Sequence, residues 1–300
     1  MGHRPGPRRG APRLRVRLLE TGDGRVGQVL YPSWIDRSDA LQMGAVLSEV
    51  DQVVASEAPH VSVLVTGGGF IEMCSQRRGP RRWWLSEQGL EFVCGFATGF
   101  MAAEVQAIAA CIGSSPRDYV VGLDVTDVHG RGVGQFGLLY SGGRFEGAVW
   151  KSLPVDDEST YLAGFGTEKG RQSPRIVKTR LGKAMILVCH DAQAFNHFNQ
   201  SRMRSGTDRS MAADHIHALT ETEQPVLGLN LVHYIERPGS IHNTFQRSYR
   251  QMHEDWPWHP KAVGAFGYER NTVSMLRTLA DACQWPPSTV GCTVAVEPGT

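Results

Sequence analysis

The chain has 300 residues, 41% of them hydrophobic and 20% charged, an ordinary globular composition that can bury one large core or two small ones. Lys+Arg 31 against Asp+Glu 30 leaves a net charge of +1, so no overall field selects nucleic acid or an anionic membrane surface, and neither is expected as a partner. No apolar run approaches the roughly 20 residues that span a bilayer, and Met1–Arg17 carries no apolar export segment, so a cytoplasmic protein is expected.

In chain order, residues 1–25 read as a flexible basic arm, because Arg4, Arg8, Arg9, Arg13, Arg15 and Arg17 alternate with Gly and Pro and leave little to bury. Residues 26–300 read as one domain, with no linker dividing them. Val26–Tyr31 is a short apolar run. Ser38 or Asp39 can then cap a helix carrying Leu41, Val46, Val50 and Val53. His60–Thr66 has the pattern of a buried strand and ends in Gly67–Gly68–Gly69. A long apolar helix follows near Phe96–Cys111, and Tyr119–Thr126 reads as another strand. Gln135–Tyr140 and Ala148–Leu153, joined at Ser141–Gly143, predict a hairpin. Arg175–Arg180 and Ala184–Cys189, joined at Leu181–Gly182, predict a second. Val226–Ile235 and Ala262–Tyr268 read as strands, and His242–His253 and Val273–Cys283 as helices before a short extended end. Strands alternating with helices, plus hairpins, predict an α/β fold with a mixed sheet or two packed sheets.

The six cysteines (Cys74, Cys94, Cys111, Cys189, Cys283, Cys292) show no C-x-x-C spacing, which argues against a zinc ribbon or a redox dithiol. His215–Ile216–His217 lies in a stretch that reads as helical, so these are taken as surface histidines, and no metal or cofactor is expected. Cys189 stands apart. The apolar run Met185–Val188 ends at it, and His190 and Asp191 follow. A thiol at the end of a buried strand lies at the sheet edge where α/β proteins form ligand crevices. A helix beginning there would lower the thiol pKa.

The segment Gly182–Phe195 (GKAMILVCHDAQAF) resembles the nucleophile segment of the nitrilase, or carbon–nitrogen hydrolase, superfamily: a glycine turn, an apolar strand, the cysteine, an acid and an aromatic. Trp150–Pro154 (WKSLP) resembles that family's lysine segment. It places Lys151 38 residues before Cys189 and Glu158 seven residues after Lys151. In the family a first glutamate follows its strand at once. Here three glycines intervene, and the first acid is Glu72.

The resemblance implies two packed mixed β-sheets flanked by helices, in an αββα sandwich. It implies a thiol hydrolase or amine transferase cleaving the C–N bond of a small amide, nitrile or carbamoyl substrate. Cys189 would be the nucleophile, Glu72 the base, Lys151 the oxyanion partner, and Glu158 the residue that orients Lys151 or relays a proton. His190, Arg77 and Trp150 would contact substrate; Arg77 lies in the basic–aromatic run Arg77–Trp84. A homodimer or larger oligomer is also implied. Two other readings compete: a caspase-like pairing of His129 with Cys189, and a non-catalytic relative that only binds a ligand.

Overall fold

The computed structural model describes residues 14–20, 25–30, 36–100, 102–233, 241–266, 284–286 and 292–298. The strands are β1 Leu14–Glu20, β2 Val26–Leu30, β3 Val63–Thr66, β4 Ile71–Cys74, β5 Asp118–Thr126, β6 Gly132–Ser141, β7 Arg144–Trp150, β8 Ile176–Thr179, β9 Gly182–Val188, β10 Leu227–Val232, β11 Lys261–Phe266, β12 Gln284–Trp285 and β13 Cys292–Pro298. They form two mixed sheets. One runs β1-β13-β2-β3-β5-β6-β7, with β4 also on β5; the other runs β12-β11-β10-β9-β8.

The sheets pack face to face because strands at the centre of each are apolar on both sides. Val26, Val63, Val65, Val120 and Leu139 of the first sheet meet Ile186, Val188, Leu229, Leu231 and Val263 of the second. The helix Ala40–Glu57 buries Met43, Val46, Leu47, Val50 and Val54, a helical spacing that makes one apolar stripe. With Ala102–Ile112 it covers the outer face of the first sheet. Leu41 lies off the stripe and is 64% exposed. Asp39 caps the helix, its carboxylate accepting from the Gln42 amide at 3.0 Å. The helices Asp208–Glu223 and Arg247–Glu254 cover the second sheet, against Met185, Leu187, Val232 and Ala262. Helix, sheet, sheet and helix are thus stacked as the resemblance implied. Among the described residues no helix is long and apolar enough to cross a membrane.

Two sequence readings change. Leu14–Glu20, assigned above to a flexible arm, is a strand paired antiparallel with β13 along its full length, from Leu14 opposite Pro298 to Glu20 opposite Cys292. Its sequence alternates Leu14, Val16 and Leu18 with Arg15 and Arg17, a period-two pattern that the arginine content obscured. The rest of the arm, and the helix expected over Val273–Cys283, lie outside the described residues. The second change is β4. Glu72 was expected in a loop; instead β3 and β4 lie end to end along the same side of β5, Val63–Val65 beside Asp118–Val120 and Ile71–Cys74 beside Leu123–Thr126. The residues between them leave the sheet. That excursion shapes the site.

Candidate active site

β9 is buried from Ala184 to Val188, and the chain then turns into a short 3-10 helix, Cys189–Phe195. Cys189 sits at the corner with φ +51, the left-handed region that costs a non-glycine residue about 1–3 kcal/mol. Such a strained strand-to-helix corner lifts one side chain clear of the strand. Asp191 holds the corner. Its carboxylate accepts from the Val188 amide at 3.1 Å and, from the segment after β7, from the Ser152 and Leu153 amides at 2.9 and 2.8 Å. Arg175 neutralises it at 2.7 Å, both side chains fully buried, and also donates to the Trp150 carbonyl and the Ser152 hydroxyl. This buried pair therefore fixes the segment after β7 against the turn after β9.

Lys151 belongs to that segment. Its backbone amide donates to the Gln135 carbonyl, and its ammonium meets Glu158 at 2.6 Å. The Glu158 carboxylate also accepts from the Val155 amide at 2.7 Å and the Gln135 side chain at 2.9 Å. Burial opposes both charges. The Cys189 thiolate and Glu158 nevertheless hold the Lys151 pKa above its ordinary value, and Lys151 holds the Glu158 carboxyl below its own. Burial would likewise raise the Cys189 thiol, but His190, Lys151 and His233 together bring it well below the usual thiol value. The thiolate, the nucleophilic form, is therefore favoured.

His233 follows β10 directly. Its Nε2 meets Asp124 Oδ1 of β5 at 2.7 Å, a contact that bridges the two sheets. Burial opposes its charge, but Asp124 and the neighbouring Cys189 push its pKa up to about 10. The Gly67–Phe70 excursion is what admits this ring. The Gly68 amide donates to the Val232 carbonyl at 2.9 Å, which draws the loop out of its own sheet toward β10. A Cβ at Gly68 would lie 2.5 Å from both Cε1 and Nδ1 of His233, so no other residue fits without displacing the ring.

The other expected residues are placed as follows. Glu72 faces Arg37 at 2.7 Å, both side chains more than a third exposed, rather than a dry pocket at the thiol. It lies on β4, in register with Asp124 of β5. His190 lies at the thiol, Nδ1 3.2 Å from Cys189 Sγ, its ring edge-on to Phe245. Arg77 stacks over Trp83 at 3.8 Å and near Phe92 at 4.7 Å, so its guanidinium is engaged with the protein's own rings. The Trp150 indole donates to the Gly170 carbonyl at 3.0 Å and packs on the first core. His129 is exposed in the β5–β6 turn, its amide held by Asp127. His217 is occupied by the Ala194 carbonyl at 2.6 Å. The structure thus brings together Cys189, Lys151, Glu158 and His190, and leaves Glu72, Arg77, Trp150 and His129 in other settings.

No family model matches the chain, and no curated protein matches it. Among solved structures it is similar to an amidase from Nesterenkonia sp. at 12% identity and TM-score 0.47, over 83% of this chain and 78% of that one. It is similar also to a carbon–nitrogen hydrolase from Helicobacter pylori G27 at 13% identity and TM-score 0.45, over 84% and 74%. A mutant amidase of the nitrilase superfamily from Nesterenkonia AN1 gives 12% and 0.47, over 82% and 78%. Identity this low and superposition this loose leave the function to be argued from the site's own residues.

Two residues at the site, Asp124 and His233, were not singled out from the sequence. Each carried a signal: an acid inside the apolar run Tyr119–Thr126, and a histidine where the run Val226–Val232 stops. Neither signal names the other, because 109 residues separate them.

Proposed function

We propose that this chain is a thiol hydrolase of the nitrilase superfamily, cleaving the C–N bond of a small amide, nitrile or carbamoyl compound through a covalent intermediate on Cys189. The observation that carries this is a lowered-pKa thiol on a strained strand-end turn, beside a buried ammonium that Glu158 and Gln135 hold in place. The thiolate attacks the substrate carbon, forming a C–S bond while the π electrons move to oxygen (or, in a nitrile, to nitrogen). Lys151 stabilises that developing charge, as a fixed cation in a dry site does well. With an amide, collapse expels the amine and leaves a thioester; with a nitrile, the thioimidate first adds water and then loses ammonia to give the thioester. Water hydrolyses the thioester in either case. Glu158 keeps Lys151 charged and aimed. The caspase-like alternative has nothing comparable, since His129 is exposed and held in a separate turn.

The test is a panel of short aliphatic amides, nitriles and carbamoyl compounds, with release of ammonia or amine as the readout. Wild type should turn over at least one class and show an acyl adduct on Cys189 by mass spectrometry. Cys189→Ala should release nothing while melting as wild type does. Turnover surviving in Cys189→Ala, or none with any class, would sink this reading.

A further inference from the structure

We propose that His233, oriented by Asp124 and admitted by the side-chain-free Gly68, is the residue that carries protons to and from Cys189 and its substrate. The inference rests on Cys189 being the nucleophile, and it assigns to the end of β10 the task that the resemblance gave to a glutamate after β3.

The geometry supports it in three ways. First, Nε2 of His233 is committed to Asp124 at 2.7 Å, so the mobile proton must reside on Nδ1. Second, Nδ1 is buried with no hydrogen-bond partner among the described residues, and the Cys189 sulfur lies near enough to act, with Asp124, on the ring's charge. Third, the segment after β3, where a carboxylate would be needed, has no side chain at Gly67, Gly68 or Gly69, and the His233 ring fills the space beside Gly68. The Gly67 carbonyl packs against Gly122 of β5, where a Cβ would lie 2.1 Å from it, so the loop cannot retreat. His190 also lies at the sulfur, but its ring rests on Phe245 and no carboxylate among the described residues hydrogen-bonds to it to fix its tautomer. Among the described residues, the other charged groups around the thiol are Lys151 and Glu158, paired with each other, and Asp191, paired with Arg175.

The cycle balances. Cys189 as thiolate and His233 as imidazolium form the resting pair. The sulfur adds to the carbonyl carbon; as the C–N bond breaks, the leaving nitrogen takes the Nδ1 proton and departs as neutral amine. Neutral His233 then takes a proton from water as its oxygen attacks the thioester. Breaking the C–S bond returns the thiolate, the acid and the imidazolium.

Two measurements test this. The rate of iodoacetamide alkylation at Cys189, followed against pH by intact mass, requires no substrate. His233→Gln keeps a donor for Asp124 but cannot titrate. It should move the alkylation profile up by a pH unit or more, with about a tenfold slower rate at pH 6. Gly68→Ala, which keeps every charged group, should do the same by displacing the ring. Asp124→Asn should shift the profile less. The second measurement uses p-nitrophenyl acetate, whose leaving group needs no proton. His233→Gln should retain the acylation burst but lose roughly 10²-fold or more in steady-state turnover, the worth of a positioned base. His190→Ala, which also removes a group that favours the thiolate, should slow alkylation and acylation too, but its acyl-enzyme should turn over without accumulating. An unchanged alkylation profile in His233→Gln, or the stalled pattern in His190→Ala instead, overturns the assignment. Because neither measurement uses an amide, failure of the C–N reading would appear separately, as wild type that acylates from the ester yet releases no amine from the panel.

Discussion

Lys151–Glu158 and Arg37–Glu72 are ion pairs of nearly the same length, 2.6 and 2.7 Å, each joining a cation to a glutamate that the sequence marked as a candidate. Their settings differ. The Lys151 side chain is 1% exposed and Glu158 16%, whereas Arg37 and Glu72 are 36% and 37% exposed. In water the attraction is screened and offset by the entropy of holding two long side chains, so the exposed pair contributes little. In the interior, charges that have lost their solvent depend on each other and act strongly on any neighbour, here the Cys189 sulfur. A glutamate beside a cation is therefore not a site until the fold removes the water.

The largest test of that contrast is Glu158→Ala. It strands the Lys151 charge in the interior and should cost about 3–5 kcal/mol in urea unfolding, together with loss of turnover. A loss under about 1 kcal/mol would mean that the pair is as well solvated as Arg37–Glu72. The double change Lys151→Met with Glu158→Gln removes both charges. Unfolding stability should return to within about 1.5 kcal/mol of wild type, while amide turnover stays lower by roughly 10²–10³-fold for want of the oxyanion partner. Recovery of stability and activity together would remove Lys151 from the chemistry.

A smaller effect follows from proton linkage. The folded Glu158 pKa lies below its ordinary value of 4.5, so its stabilisation is fully present above that pH and is lost as pH falls through the folded value. The difference in melting temperature between wild type and Glu158→Gln should therefore shrink steadily below about pH 4.5 and stay constant from pH 6 to 8. A difference that does not change with acid would contradict the shift. The smallest effect belongs to Glu72→Gln. It should change stability by less than about 1 kcal/mol, vanish in 1 M salt, and leave turnover within a few fold. A dead Glu72→Gln variant that melts normally would restore Glu72 as the base.

Much of the fold was legible because its signals are local. The hairpin that positions Lys151 follows from two apolar runs and a glycine turn, and the observed β6 and β7 meet at the same residues. The turn at Cys189 follows from the end of an apolar run. Arg77 and Trp150 show the limit of such reading: a cation beside tryptophans suggests ligand binding, but the protein's own rings and the Gly170 carbonyl already occupy both. β1 was obscured because arginine content argued for an arm, while pairing with β13, 272 to 284 residues away, needs only alternation.

By itself, then, the sequence determined most of the strands and helices, β1 and β4 excepted, and that a cysteine, a lysine and a glutamate flank two successive hairpins, since capping, periodicity and turn chemistry act within a few residues. Tertiary structure alone decided which acid is dry and that a second histidine, His233, joins His190 near the sulfur. Asp124 and His233 meet because β5 and β10 belong to different sheets packed face to face, and because Gly68 leaves a ring-sized space between them. Proximity across two sheets, and the exclusion of water that gives proximity its electrostatic force, are properties of the packed core and have no signature in any short stretch of chain.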